Sequence, residues 1–376
     1  MEYKRLGDCI RPVDVRNRDL KVNLSQGICN AKYFQDPKQV AENPETHKVV
    51  RTGQFAYNRA TTRNGEKISI ALREGPDCTV SSAYQVFEIV DENKLHPKYL
   101  MMWFKRPEFD RYAIYYSHGS AHEFFEYESM CDVILPVPDI ERQREIVAEY
   151  ETLTNRIRLN EQIIQRLLAT AQALYRHTFV DNIDKQNLPN GWRMGTLGEI
   201  CIINPQLKPE QDIEIPYVDM DALPTTGYYI KRIQKKVFSS GIKFENGDVL
   251  FARITPCMEN GKSAIVSDIP NNVVAFGSTE FIVLRGKKQK LTSLLATLIR
   301  TKEFKEYAKS QMKGTDGRQR VDHEMLKFYE IIIPSDIMLE KIESDFSRLF
   351  SLANIKGKEN KKITELQSLL LAKVEK

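Results

Sequence analysis

Two stretches of this 376-residue chain carry the same pattern of residues about 195 positions apart. Leu6-Gly7-Asp8 returns as Leu197-Gly198-Glu199. Gly53 followed by Phe55, Tyr57, Arg59 and Thr61 returns as Gly247 followed by Val249, Phe251, Arg253 and Thr255. Asn64-Gly65 returns as Asn260-Gly261, and Ser82 with its apolar run to Val90 returns as Ser278 with its run to Leu284. Glu108-Phe109 with Tyr112, then Gly119-Ser120, then Glu128 return as Glu303-Phe304 with Tyr307, Gly314-Thr315 and Glu324. Val133-Ile134-Leu135-Pro136 returns as Ile331-Ile332-Ile333-Pro334. From Gly53 onward the offset stays between 194 and 198, and so many matches in one order do not arise by chance. The chain must fold as two similar units.

Each unit reads as a mixed α/β domain of about 140 residues, an ordinary domain size. Runs such as Val249-Leu250-Phe251 and Phe281-Ile282-Val283-Leu284 predict strands. A helix is expected near 97–115 and its counterpart near 291–311, followed by a glycine loop and a closing strand. A long helix follows each unit. In the first, Ile146, Tyr150, Leu153, Ile157, Asn160, Ile164, Leu167, Ala171, Leu174 and Thr178 step by 4 and 3, a heptad stripe with Asn160 in its seam. In the second, the stripe runs through Ile342, Phe346, Leu349, Ala353, Lys356, Asn360, Ile363, Gln367, Leu370 and Val374, with Gly357 in its polar middle. The expectation is that the two helices pack on each other as an antiparallel coiled coil. The alternative is that each lies on its own domain. A helix of about 35 residues would measure about 50 Å and would hold two globular units apart. The fold class is thus α+β (mixed), with a pseudo-two-fold internal repeat. The expected segments are 1–138, a helix over 139–180, 181–335, and a helix over 336–376.

A hydrophobic content of 41% with 28% charged residues describes a globular chain. No run of eighteen apolar residues occurs, and the opening Met1-Glu2-Tyr3-Lys4-Arg5 is not the apolar stretch of a signal peptide. The six cysteines stand apart, with no C-x-x-C pair, which fits reduced thiols in a cytoplasm. The net charge of +4 is mild, but 231–327 holds 19 Lys/Arg against 10 Asp/Glu, while 1–138 holds 19 of each. A local basic surplus suits a polyanion such as DNA or RNA, and equally a solubilising surface.

The order domain, long helix, domain, long helix resembles the specificity subunits of type I restriction–modification enzymes over the whole chain. So does local wording. Leu135-Pro136-Val137-Pro138-Asp139-Ile140-Glu141-Arg142-Gln143 resembles that family's lead-in to its first helix, and Leu188-Pro189-Asn190-Gly191-Trp192 the opening of its second recognition domain. Phe251-Ala252-Arg253-Ile254-Thr255-Pro256 with Glu259-Asn260-Gly261-Lys262 resembles a stretch common in such domains. Pro334-Ser335-Asp336-Ile337 departs from the pattern, lacking the Pro-x-Pro and Glu-Gln of the first lead-in.

The resemblance implies a non-catalytic, cytoplasmic DNA-sequence-specificity subunit with two target-recognition domains. It would read a bipartite, asymmetric site in double-stranded DNA and dock two adenine-N6 methyltransferase subunits, with nuclease/translocase subunits joining the full complex. S-adenosylmethionine, ATP and Mg²⁺ would be used by those partners, with none bound by this chain. The reading from another class is a coiled-coil scaffold that binds only protein.

No methyltransferase motif or Walker A loop occurs in the sequence. Pro76-Asp77 with Glu92-Asn93-Lys94 has the residues of a Mg²⁺ nuclease, but Asp91–Lys94 reads as a polar turn without a counterpart in the second unit. His118 and His122 are four apart, yet Gly119 and Ser120 between them predict a loop rather than a metal-binding helix face. Trp103 reads as helix core. Candidate base readers need donors or acceptors on loops at matching places. One place holds Arg59, Thr61 and Arg63, matched by Arg253, Thr255 and Lys262. The other holds Ser120, His122 and Glu123, matched by Thr315, Asp316, Arg318, Gln319 and Arg320. Lys231, Arg232, Lys235 and Lys236 suit phosphates better than bases.

Overall fold

The computed structural model describes all residues except 1, 38–42, 62–66, 119–122, 182, 288–290, 316–317 and 374–376. The chain divides into two compact units, residues 1–157 with 361–376, and residues 158–360. In the first, the strands Ile10–Val13, Tyr84–Ile89, Phe55–Asn58 and Ile70–Leu72 lie side by side in that order, all antiparallel. In the second, Cys201–Ile203, Phe281–Gly286, Val249–Ala252 and Ser263–Ile265 repeat that order. The apolar runs are continuous because these strands are buried on both faces. Phe55 and Tyr57 point to the core beneath the helices, whereas Ala56 joins a second core on the opposite face. Val249 and Phe251 part from Leu250 in the same way.

A short antiparallel pair closes each unit. Glu2–Arg5 pairs with Ile134–Val137, and Arg193–Thr196 pairs with Glu330–Ile333. The residue that follows is tied alike in both, with Leu6 N donating to the Val133 carbonyl and Leu197 N to the Tyr329 carbonyl, each at 2.8 Å. Both leucines are fully buried. The glycine after each is required by close approach: a Cβ on Gly7 would sit 2.8 Å from that of Cys131, and one on Gly198 would sit 2.9 Å from that of Lys327. The repeated Leu-Gly pair is therefore a packing signature.

Each expected mid-unit helix is two helices. The first unit has Pro97–Phe104 and Pro107–Tyr115. Arg106 is extended before Pro107, whose ring blocks continuation of the preceding turn. Trp103 is half-buried, with the Arg106 guanidinium 4.3 Å from its ring centroid. The second unit has Thr292–Leu298 and Lys302–Ser310, and Thr301 between them caps the latter by accepting from Phe304 N at 3.3 Å.

The long helices run Ile140–Arg176 and Asp336–Lys373. Along the first, Ile146, Asn160 and Ala171 are buried and Tyr150, Leu153, Ile157, Ile164, Leu167 and Leu174 half-buried. Along the second, Ile342, Phe346, Ala353 and Ile363 are buried and Leu349, Lys356, Asn360, Gln367 and Leu370 half-buried; Val374 lies outside the described residues. Part of each stripe packs on a globular core. Ile146 and Val147 join the core of the first unit, and Ala171, Tyr175, Ile342, Phe346 and Phe350 that of the second.

Glu343 fastens the second long helix to its unit. Its two carboxylate oxygens accept from Ser293 N and Leu294 N, each at 2.9 Å, at the start of the helix Thr292–Leu298. Burial pushes its carboxyl up from 4.5 to about 7, against the pull of those two donors. A folded-state pKa above the unfolded one makes the contribution full below about pH 4.5 and lost as pH rises through 7, by at most about 3 kcal/mol. Urea unfolding from pH 5 to 8 should show stability falling more steeply in the wild type than in Glu343→Gln. Equal slopes would mean that Glu343 is ionised throughout.

Candidate nucleic-acid interface

The two candidate places meet in both units, along the same backbone frame. In the first unit, Phe125 N donates to the Arg59 carbonyl (2.9 Å) and Thr61 N to the Glu123 carbonyl (3.0 Å). In the second, Val321 N donates to the Arg253 carbonyl (2.8 Å) and Thr255 N to the Gln319 carbonyl (3.1 Å). The segment leaving the central strand is thus paired with the segment that follows the glycine loop. This frame is main chain only, so the side chains it presents are free to differ.

They do differ. In the first unit the Arg59 guanidinium lies 5.6 Å from the Phe124 ring centroid and pairs with Glu126 at 3.2 Å. Thr61 is buried, and its hydroxyl donates to the Glu123 carbonyl at 3.1 Å. Arg63, Ser120 and His122 lie outside the described residues, and His118 is exposed. In the second unit Glu280 gathers three segments. Its carbonyl accepts from Arg253 N at 2.9 Å, and its carboxylate accepts from Arg320 Nε at 2.9 Å and Nη2 at 2.7 Å. Arg253 Nε and the Thr255 hydroxyl are buried without a hydrogen-bond partner among the described residues. Gln319 is half-buried, and Thr315 and Arg318 are exposed. Arg318 N donates to the Thr315 carbonyl at 3.1 Å, and Gly314 ahead of them has φ +118°, where a side chain would be strained. Asp316 and Gly317 lie outside the described residues. A hydrogen bond from Lys313 (2.8 Å) holds the Asp322 carboxyl below its usual range.

Lys262 sits apart from this group, its ammonium 3.2 Å from Asp221 and 3.3 Å from the Met220 carbonyl. The basic run 231–236 is also divided among different partners. Arg232 pairs with Asp219 at 2.7 Å and Lys236 lies 3.9 Å from the Tyr217 ring centroid, while Lys231 and Lys235 are exposed. Gln234–Val237 is an edge strand, in the order Gln234–Val237, Glu214–Val218, Ala275–Gly277, Ile242–Phe244.

Glu280, Phe124 and Glu126 escaped the sequence reading. Glu280 precedes the strand Phe281–Gly286 as Ala83 precedes Tyr84–Ile89, so the repeat itself carries no signal for it. The nuclease-like residues belong to turns, with Asp77 accepting from Thr52 N at 3.2 Å and Lys94 pairing with Asp91 at 3.5 Å. Among the described residues no group of His, Cys, Asp or Glu is gathered as a metal site.

Comparison with known proteins fits this geometry. Residues 189–367 match the type I restriction modification DNA specificity domain. That match takes in just under half of the chain, the second unit with most of its long helix. The chain is 32% identical over 173 residues to the type I restriction enzyme EcoEI specificity subunit of Escherichia coli. It is 33% identical over 174 residues to the EcoAI specificity subunit of the same organism. Either alignment covers 44% of this chain and 29% of the relative, so less than a third of each relative is matched. The solved structure of a type I restriction–modification system S subunit from M. genitalium superposes with a TM-score of 0.58 at 14% identity. That superposition covers 100% of this chain and 96% of the other, and the likeness is one of fold.

The two threonines of the frame should respond differently to loss of their hydroxyls. Thr61→Val removes a buried hydrogen bond and should cost about 0.5–1.5 kcal/mol in urea unfolding. Thr255→Val removes a hydroxyl that has no partner among the described residues and should change stability by less than about 0.5 kcal/mol. Equal losses would show that Thr255 is satisfied in solution.

Proposed function

We propose that this chain is the non-catalytic DNA-sequence-specificity subunit of a type I restriction–modification complex, and that its two units are target-recognition domains for the two halves of a bipartite, asymmetric site. The repeated backbone frame with unlike side chains is the observation that carries this reading. Arg59, Phe124 and Glu126 occupy it in one unit and Arg253, Gln319, Arg320 and Glu280 in the other. Equal scaffolds bearing unlike polar groups are what two different half-sites in one duplex require, since base edges are read by side chains while backbone contacts set position. The candidate readers are Arg59, Arg63 and Ser120 for one half, and Arg253, Thr255, Thr315, Arg318, Gln319 and Arg320 for the other, while Thr61, buried and bonded to the Glu123 carbonyl, serves the frame. Lys231 and Lys235, exposed beside an edge strand, suit phosphates, and Lys262 serves position rather than bases.

The domains proposed are 1–138 and 181–335, with 139–180 and 336–376 as helices that pair antiparallel. Two contacts support the pairing. Gln367 donates to the Thr154 hydroxyl at 2.7 Å in the first unit, and Asn160 Nδ2 donates to Asn360 Oδ1 at 2.8 Å in the second. Advancing along one helix retreats along the other. An Asn pair in a helix seam fixes register at the expense of stability. Two such helices related by a pseudo-two-fold suit two copies of one methyltransferase subunit, through which nuclease/translocase subunits would join. Methyl transfer from S-adenosylmethionine and ATP hydrolysis with Mg²⁺ belong to those partners, and the location is the cytoplasm.

Purified alone, the chain should transfer no methyl group to DNA; assembled with its methyltransferase partners it should methylate one bipartite motif. Deleting a heptad from each long helix around Asn160 and Asn360 should change the spacer and leave the bases read unchanged. Methyl transfer by the chain alone, or an unaltered spacer in an active deletion variant, would refute the respective claim. DNA affinity without sequence preference or a steep fall with salt would favour a protein scaffold instead.

A further inference from the structure

We propose that Glu280 is a positioning residue that holds Arg320 by one edge so that the other end of its guanidinium meets a guanine in the half-site read by the second unit. The proposal rests on the reading of the chain as a DNA specificity subunit and names how one base is chosen. Glu280 takes Arg320 Nε and Nη2, at 2.9 and 2.7 Å. Both Nη1 protons and the second Nη2 proton have no other partner among the described residues. Two parallel N–H groups at the end of that fork match O6 and N7 of guanine in the major groove.

Glu280 is itself fixed. Its N donates to the Ser278 hydroxyl at 3.1 Å, its carbonyl accepts from Arg253 N at 2.9 Å, and the next residue, Phe281, is fully buried. The pair lies at the surface, with side chains 44% and 22% exposed, where an ion pair adds little to stability. It does restrict the guanidinium before DNA arrives, and its negative charge disfavours a phosphate as the alternative partner. Arg318, two residues earlier, is exposed and has no side-chain partner among the described residues. In the first unit the corresponding position is Ala83, so Arg59, held by Glu126 and Phe124, is aimed by other means.

The test uses the full chain assembled with its methyltransferase partners. Methylated motifs are mapped by sequencing, and competition binding is measured on duplexes varied at each motif position, for the wild type, Glu280→Gln, Arg320→Ala and the double variant. Arg320→Ala should lower the preference for guanine at one position of one half-site by roughly ten- to a hundredfold. Glu280→Gln, close in shape, should lower it at that same position by a smaller factor, with the melting temperature unchanged. The double variant should be no worse than Arg320→Ala alone. The proposal is overturned if Glu280→Gln keeps full discrimination where Arg320→Ala loses it, or if Glu280→Gln alters affinity for all duplexes equally. It is also overturned if Arg320→Ala leaves the motif intact. None of these would touch the DNA-reading function, which fails separately if the wild-type assembly methylates no defined motif.

Discussion

The antiparallel pairing of each unit's first strand with its last, Glu2–Arg5 with Ile134–Val137 and Arg193–Thr196 with Glu330–Ile333, sets the conditions for everything else in the chain. It brings the two ends of a domain to one place and delivers the chain into a long helix from a fixed point. The Leu-Gly turn that follows the opening strand holds this closure from inside. Leu6 and Leu197 fill the core, while the missing Cβ of Gly7 or Gly198 lets the backbone lie against Cys131 or Lys327. With the ends clamped, the central sheet can be covered on both faces by its own sequence, and the polar loops are left at its margin.

Much of this was legible because repetition converts weak local signals into strong ones. Neither Leu6-Gly7 nor Gly53 with Arg59 and Thr61 means much alone, and their return in order is what defined two mixed α/β units. The long C-terminal helix was legible from its 4-and-3 stripe. The broken mid-unit helices were not, because continuous apolar character such as Leu100-Met101-Met102-Trp103-Phe104 masks a stop that depends on the φ limits of one proline and the cap of one threonine. The site was half legible. The main-chain segments that carry the repeat-matched positions meet in both units, since the frame is repeated. Lys262 was matched too, but Asp221 lies 41 residues earlier in the chain and the pair is settled only by folding. Glu280 was invisible for a related reason, its arginine being 40 residues away and its counterpart an alanine.

Buried polar groups divide into two kinds in the second unit. Some are fully answered. Arg300 donates to the Ser263 hydroxyl (2.7 Å) and carbonyl (3.1 Å) and lies 3.7 Å from the Tyr228 ring centroid, while Gln172 donates to the Tyr228 hydroxyl (3.2 Å) and the Thr297 carbonyl (2.9 Å). These stitch the first long helix to the domain core. Arg253 Nε, the Thr255 hydroxyl and His323 Nδ1 are buried with no partner among the described residues, and the first two sit on the frame that carries the candidate readers.

A frame made of two main-chain hydrogen bonds also has a consequence for the history of such chains. Neither bond depends on which side chain is attached, so Phe124 and Arg320, or Ala83 and Glu280, can occupy corresponding places without disturbing the sheet behind them. Recognition can drift while foldability is conserved. Few substitutions, all at the rim, suffice to change the polar groups presented there while both main-chain bonds stay in place.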